Sequence, residues 1–532
     1  MRRLALIPLL LLAAPLAAQD HDGHTGPPPA RLGRVVLANS CSPAAQRAFE
    51  RGVALMHSFW YEEASRAFRE AAQADSGCAM THWGVASSYL HPLWPPPTAS
   101  DIQQAAAAVA RARALRPATH REGMYVEAIG AFWDSASTLS HPQRLRRWSD
   151  ALGRLHQAHA DDDEATAFYA LSLLAVANSS PPDTTYARQR EAAALLEPLF
   201  RRHPDHPGLA HYLIHAYDAA ALAASGARAA DRYATIAPAV PHARHMPSHI
   251  YVRLGRWDRV VTSNASSADA ARQYEREQNL SGVWGQRLHA LDYKMYGYLQ
   301  LGMDRQAQAL MDSTNAMTRL FPERDLVGEY ALAAIPARFS LERAQWRQAA
   351  ALNVREGIAP QAAAVTHFAR AVGAARGGDT TNARAALAAL TAIDEDLTRR
   401  QVPLWTNMVH AQRLAAESWF SLATGDTARA LQLAREAADL EDRSEKHPAT
   451  PGAPLPAREL LGDMLLAVHH YPEAWRAYEA SLAMQPRRAR SLSGAAEAAR
   501  LAGDAAEALR YRQQLRTLLA RADASRRAVA VR

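Results

Sequence analysis

Cysteine and lysine are almost missing from this 532-residue chain: there are two of each, Cys41 and Cys78, Lys294 and Lys446. Two cysteines leave room for one disulfide, or for two buried thiols. They exclude a cysteine-rich framework and a four-thiolate metal site. Without lysine, the basic charge is almost all arginine. The formal net charge of +7 is spread along the chain and interleaved with Asp and Glu. There is no basic block with aromatics between its charges, which argues against a nucleic-acid partner. Beyond the first twenty residues no apolar run reaches the length of a membrane span. The chain also has no Walker loop, no dinucleotide glycine motif, no nucleophile elbow and no HEXXH. Those absences remove the common signatures of nucleotide chemistry, serine hydrolysis and one large class of zinc proteases.

The first residues are MRRLALIPLLLLAAPLAAQ. Two arginines, an apolar run from Leu4 to Ala14 and small residues ending at Ala18 make the three-part pattern of a secretory signal peptide over 1–18. The expectation is an exported protein, periplasmic or extracellular, with no transmembrane segment in the mature chain. Residues 19–39 contain three consecutive prolines and read as an extended leader. Cleavage behind Ala18 would leave His21 third in the chain, where a free amino terminus can wrap Cu(II).

From Pro43 onwards apolar residues recur at helical spacing, and no strand pattern stands out. Gly52, Leu55, Tyr61, Ala64, Phe68 and Ala71 match the small, large and aromatic positions of a 34-residue tetratricopeptide repeat. HSFW at His57 and HPLW at His91 recur one period apart. Gly462, Leu465, Ala474, Tyr478 and Pro486 give the clearest late copy. The predicted fold is all-α: a right-handed α-solenoid of tetratricopeptide-like helix–turn–helix repeats, about twelve pairs over 40–522. A frayed tail, 523–532, follows. In that frame Cys41 and Cys78 start neighbouring repeats, within reach of a disulfide. His57 and His91 read as capping or packing residues.

Chemistry-bearing residues concentrate between His211 and Asp292, in HYLIHAYD (211–218), HARHMPSHIYVRLGRW (242–257) and HALDY (289–293). His211 and His215 are four apart on one helix face, which is metal-ligand spacing. His245 and His249 repeat the separation across Pro247, a residue suited to a first helical turn. His242 lies just upstream, and His289 and Asp292 are three apart. In a repeat array these first helices line the concave face. Imidazoles with one carboxylate would suit Zn, Cu, Ni or Fe. Asp218 or Asp292 could orient an imidazole instead. Tyr212, Tyr217, Tyr251, Tyr293 and Tyr296 would form walls, and Arg244, Arg253 and Arg287 would hold acidic groups. The segment 440–464 interrupts the helices. Its Glu445, Lys446, His447, Arg458, Glu459 and Asp463 either form an ordinary inter-repeat loop or fold over the groove.

These stretches, with THFARAVGAARGGD and EKHPATPGAPLPARELLGDM, resemble a family of bacterial exported tetratricopeptide-repeat proteins of undefined biochemical role. The resemblance implies a solenoid and supplies no reaction. Three readings follow. The chain is a scaffold that binds a protein, peptide or small ligand in its groove; a metal-binding protein or metal-dependent enzyme using the histidines; or a purely structural array.

Overall fold

The computed structural model describes residues 31–94, 96–400 and 402–531. The signal-peptide reading of 1–18 and the His21 site lie outside the described residues. Among those described, the chain forms 26 helices and one short parallel pairing, Val283–Trp284 beside Leu320–Phe321. Successive helices pack on one another through short turns, as the solenoid reading expects. No described helix is long and apolar enough to cross a membrane.

The turns follow from residue chemistry. At Gly378–Asp379, Gly425–Asp426 and Gly503–Asp504 the glycine takes positive φ and stops one helix. The aspartate side chain then accepts a backbone N–H of the next: from Asn382, Arg429 and Glu507 respectively. Within the repeats, close approach fixes two small positions. A Cβ on Gly52 would lie 2.7 Å from the Phe68 ring, and Gly84 abuts the same ring from the following helix. Gly462 and Gly494 clamp Tyr478 in the same way.

The array closes on itself. Tyr274 Oη donates to buried Glu63 at 2.7 Å, and the Trp60 ring stacks near Trp284. The middle of the chain therefore touches its first repeat. The last repeats touch the middle in turn. Trp257 Nε1 donates to Arg487 O at 2.9 Å. Arg488, fully buried, binds Glu342 at 2.8 Å and Glu459 at 3.0 Å, and also reaches the Tyr296 hydroxyl. The inner helices around His211–Asp292 consequently present no open groove.

The structure adds detail to two expectations and changes a third, the frayed tail. The leader is extended over 31–39 but not loose: Leu32, Val35 and Leu37 are buried, and Arg34 N–H donates to Asp205 O. The tail does not fray where it is described. It forms the helix Ala524–Val531, anchored because Asp523 accepts from Arg305 and Arg526 from the tail donates to Asp304. Cys41 and Cys78 are joined, with Cα atoms 5.1 Å apart.

Replacing Arg488 with Met leaves buried Glu342 without its cation and Glu459 with Arg490 alone. It should destabilise the chain by about 3–5 kcal/mol in a denaturant titration. Arg500→Met, which removes a solvent-exposed pair with Glu497, should leave the midpoint unchanged.

Candidate metal centre

Four helices carry the imidazoles. His211 and His215 sit one turn apart on Pro207–Ala216. An interior proline lacks an N–H donor and crowds the preceding turn, so it kinks or breaks a helix. Pro247 therefore splits the next element into Pro241–His245, holding His242 and His245, and Pro247–Arg253, holding His249. His289 comes from Gly285–Gln300. Five of the six are at most 4% exposed, and His215 is partly exposed.

They form two sets of three. In each set, one nitrogen per ring gathers within 4.8 Å of the others: His211, His215 and His242 in one, His245, His249 and His289 in the other. In the first, His211 Nε2 lies 3.1 Å from His215 Nε2 and 3.2 Å from His242 Nε2. In the second, the Nε2 atoms of His245 and His249 are 3.0 Å apart.

The opposite nitrogens decide where the protons are. His211 Nδ1 is 2.7 Å from the His57 carbonyl oxygen, which only accepts, so Nδ1 carries the hydrogen. His249 Nδ1 donates to Asp218 Oδ2 at 2.8 Å. His245 Nδ1 is 2.6 Å from Asn264 Oδ1, while the Asn264 amide donates to Val260 O, so this Nδ1 also donates. Burial first, and neighbouring imidazoles or Lys446 second, push His215, His245 and His249 down to about 3 and the other three well below their ordinary value. Neutral rings with Nδ1 protonated have bare Nε2 lone pairs. His245 and His249 thus point two acceptors at each other. Tyr293 Oη is 3.3 Å from His249 Nε2, but gives its proton to Thr450 O at 2.9 Å. His289 has no hydrogen-bond partner at either nitrogen.

A third group, His57, Glu164 and His206, differs in kind. Glu164 accepts from His57 Nε2 at 2.7 Å and His206 Nε2 at 2.9 Å. Tyr212 Oη then donates to His57 Nδ1, and Leu209 N–H to His206 Nδ1. Every nitrogen is satisfied without a cation. The group fixes His57, whose carbonyl orients His211.

The site is walled by Phe59, whose ring lies 4.3 Å from that of His211, by Trp94 near His242 and His289, and by Tyr293 against all three rings of the second set. The 440–464 segment does fold across the inner helices. Lys446 Nζ binds Asp218 at 2.7 Å, Glu445 accepts from Arg253, and Arg253 also holds Asp218 at 3.0 Å. Burial pushes Asp218 up, but Lys446 and Arg253 outweigh it and hold the carboxyl well below the usual range. A cleft lined by Tyr186, Asn178, Leu93, Asp218 and Lys446 reaches His215 alone of the six.

Several sequence candidates fall elsewhere. Asp292 is taken by Arg338 at 2.8 Å, which also binds Thr450, Gly452 and Ala453 of the crossing loop; it does not join the imidazoles. Tyr217 and Tyr251 bond Glu197 and Asp231, away from the site, and Tyr296 belongs with Arg488. Arg244 and Arg287 are committed to Pro238 O with Ser266, and to Glu275. From the loop, His447 stacks on Trp405, Arg458 pairs with Asp439 and Asp442, and Glu459 and Asp463 pair with Arg490. Sequence reasoning missed Asn264, for which no local pattern exists. It also read His57 as a capping or packing residue. The recurring HSFW and HPLW were the available signal, since they supply His57, Phe59 and Trp94.

No protein-family model and no curated protein sequence matches the chain. Solved structures similar to it include human IFIT1 as a dimer with PPP-AAAA, at 12% identity, TM-score 0.38, 88% of this chain and 89% of that one. The Cut9–Hcn1 hetero-tetramer of the APC/C matches at 10% identity, TM-score 0.36, with 92% and 75% covered. Yeast Tom70 matches at 11% identity, TM-score 0.28, with 92% and 94% covered. What those proteins bind does not carry over to this chain.

Proposed function

We propose that this chain is an exported helical-repeat metalloprotein holding two transition-metal ions, one on His211, His215 and His242 and one on His245, His249 and His289. The observation that carries the reading is the 3.0 Å approach of two bare Nε2 lone pairs, His245 and His249, in a buried site. Acceptors do not face each other without a proton or cation between them. A proton there is disfavoured by the burial that keeps both rings neutral. Nδ1–H donation to a carbonyl, an amide oxygen and a carboxylate is the arrangement that orients imidazole ligands. Imidazole donors suit Zn, Cu, Ni and Fe. Three protein donors per ion leave a position for an outside ligand. Export is supported by the 1–18 pattern and by the Cys41–Cys78 bridge, which belongs to an oxidising compartment.

Untagged protein equilibrated with Cu or Zn should hold about two ions per chain by elemental analysis. His215→Leu and His289→Leu should each lose about one. His289 makes no hydrogen bond, so its replacement should leave the circular dichroism unchanged. A folded chain that retains no metal would overturn the proposal.

Asn264→Leu removes the acceptor behind His245. It should weaken the second set by roughly 10–100-fold and leave the first set's affinity unchanged, read by competition with a chromophoric chelator.

A further inference from the structure

The two sets are neighbours. Ring centroids of His242 and His245 are 6.0 Å apart, and those of His215 and His249 are 6.1 Å apart. Within the second set the His249 and His289 centroids are separated by as much, 6.3 Å. Two ions held on these donors therefore share one pocket, with His242, His245, His215 and His249 along the seam.

The donor set is unusual in its charge. Neither set includes a carboxylate or a thiolate. The nearest acid, Asp218, already serves His249, Arg253 and Lys446, and Arg253 in turn serves Glu445. Those four charged groups sum to zero. Asp292, the other buried acid of these helices, is neutralised by Arg338. Among the described residues nothing in the shell offsets the charge of the ions. Two divalent ions would bring a charge of four into a site whose ligands are almost wholly buried, and burying uncompensated charge is expensive. Two cuprous ions bring half of it. Three neutral imidazoles also satisfy Cu(I), which accepts a trigonal shell.

Access and walls limit the outside ligand. Of the six, only His215 meets the cleft, and the rings of Phe59, Trp94 and Tyr293 pack against the remaining sides. That cleft encloses about 80 Å³, which fits a small molecule better than a metabolite. Resting on the two-ion reading above, we infer that the paired sets form a dicopper centre that takes up dioxygen between its metals.

The step balances without an added reagent. Each Cu(I) gives one electron and becomes Cu(II). Dioxygen takes both, its double bond becomes a single bond, and the product is peroxide bridging the pair. No proton moves. The metal–oxygen unit carries the same total charge before and after, so the buried shell meets no new charge. Release reverses each transfer.

The test uses the full chain loaded anaerobically with Cu(I). Copper is counted first, then air is admitted. The inference expects an intense peroxide-to-copper absorption that fades under vacuum, and an oxygen–oxygen stretch that moves with heavy dioxygen. It also expects no paramagnetic resonance signal, because the two Cu(II) spins are coupled. His289→Leu should keep about one copper and show none of the absorption. Full copper loading followed by isolated paramagnetic Cu(II), or by no reaction with dioxygen, would overturn the inference and leave the two-ion reading standing. Failure to load Cu(I), with Zn(II) bound at both sets, would overturn it as well. Failure to bind any metal would remove both.

Discussion

A buried imidazole is best tolerated when its ring hydrogen has an acceptor, and three of the five nearly inaccessible rings here, His211, His245 and His249, have one. Here that condition shapes the surroundings. The His57 carbonyl, the Asn264 amide oxygen and the Asp218 carboxylate each take one Nδ1 hydrogen. Each acceptor is itself fixed: His57 through Glu164 and Tyr212, Asn264 through Val260 O, Asp218 through Arg253 and Lys446. The Nε2 atoms are turned inward as a result. A cluster assembled merely to fill space would have left its nitrogens satisfied by ordinary hydrogen bonds, as they are in the His57–Glu164–His206 group.

Closure of the array supplies the burial. Glu63–Tyr274 joins the first repeat to the middle, and Arg488 with Glu342 and Glu459 joins the middle to the end. Between these clasps the loop after residue 442 lies across the inner helices. It contributes Lys446 to Asp218, and the Thr450 carbonyl to Tyr293. An open solenoid would have left the same histidines wet, with ordinary protonation behaviour and no enforced tautomer.

The helical periodicity, the Gly–Asp turns and the aromatic positions Phe68 and Tyr478 were legible because each is dictated by contacts within one or two repeats. The cluster was legible in outline, since spacing by four on helices places His211 with His215 and His245 with His249. Its division into two sets was not. That depends on how three successive inner helices rotate against each other, and on Pro247, which splits one helix rather than merely starting it. The assignment of Asp292 failed for a related reason. Three positions along its helix, Asp292 shares a face with His289, but Arg338, from a helix 46 residues onward in sequence, claims it. Asn264 could not be found by spacing at all, because its partner His245 lies two helices earlier.

The pocket is drawn from His57, Phe59 and Trp94 near one end of the chain, from residues 211–293 in its middle, and from Lys446 and Thr450 towards the other. No fragment contains it. Cooperative units of a repeat array ordinarily fold locally and one after another, yet here the last piece to arrive completes the first. On the two-ion proposal, ion capture would be linked to ring closure: a cation that binds only the closed form adds its binding free energy to the clasps. Distant repeats of the solenoid would then report on one another through a shared guest.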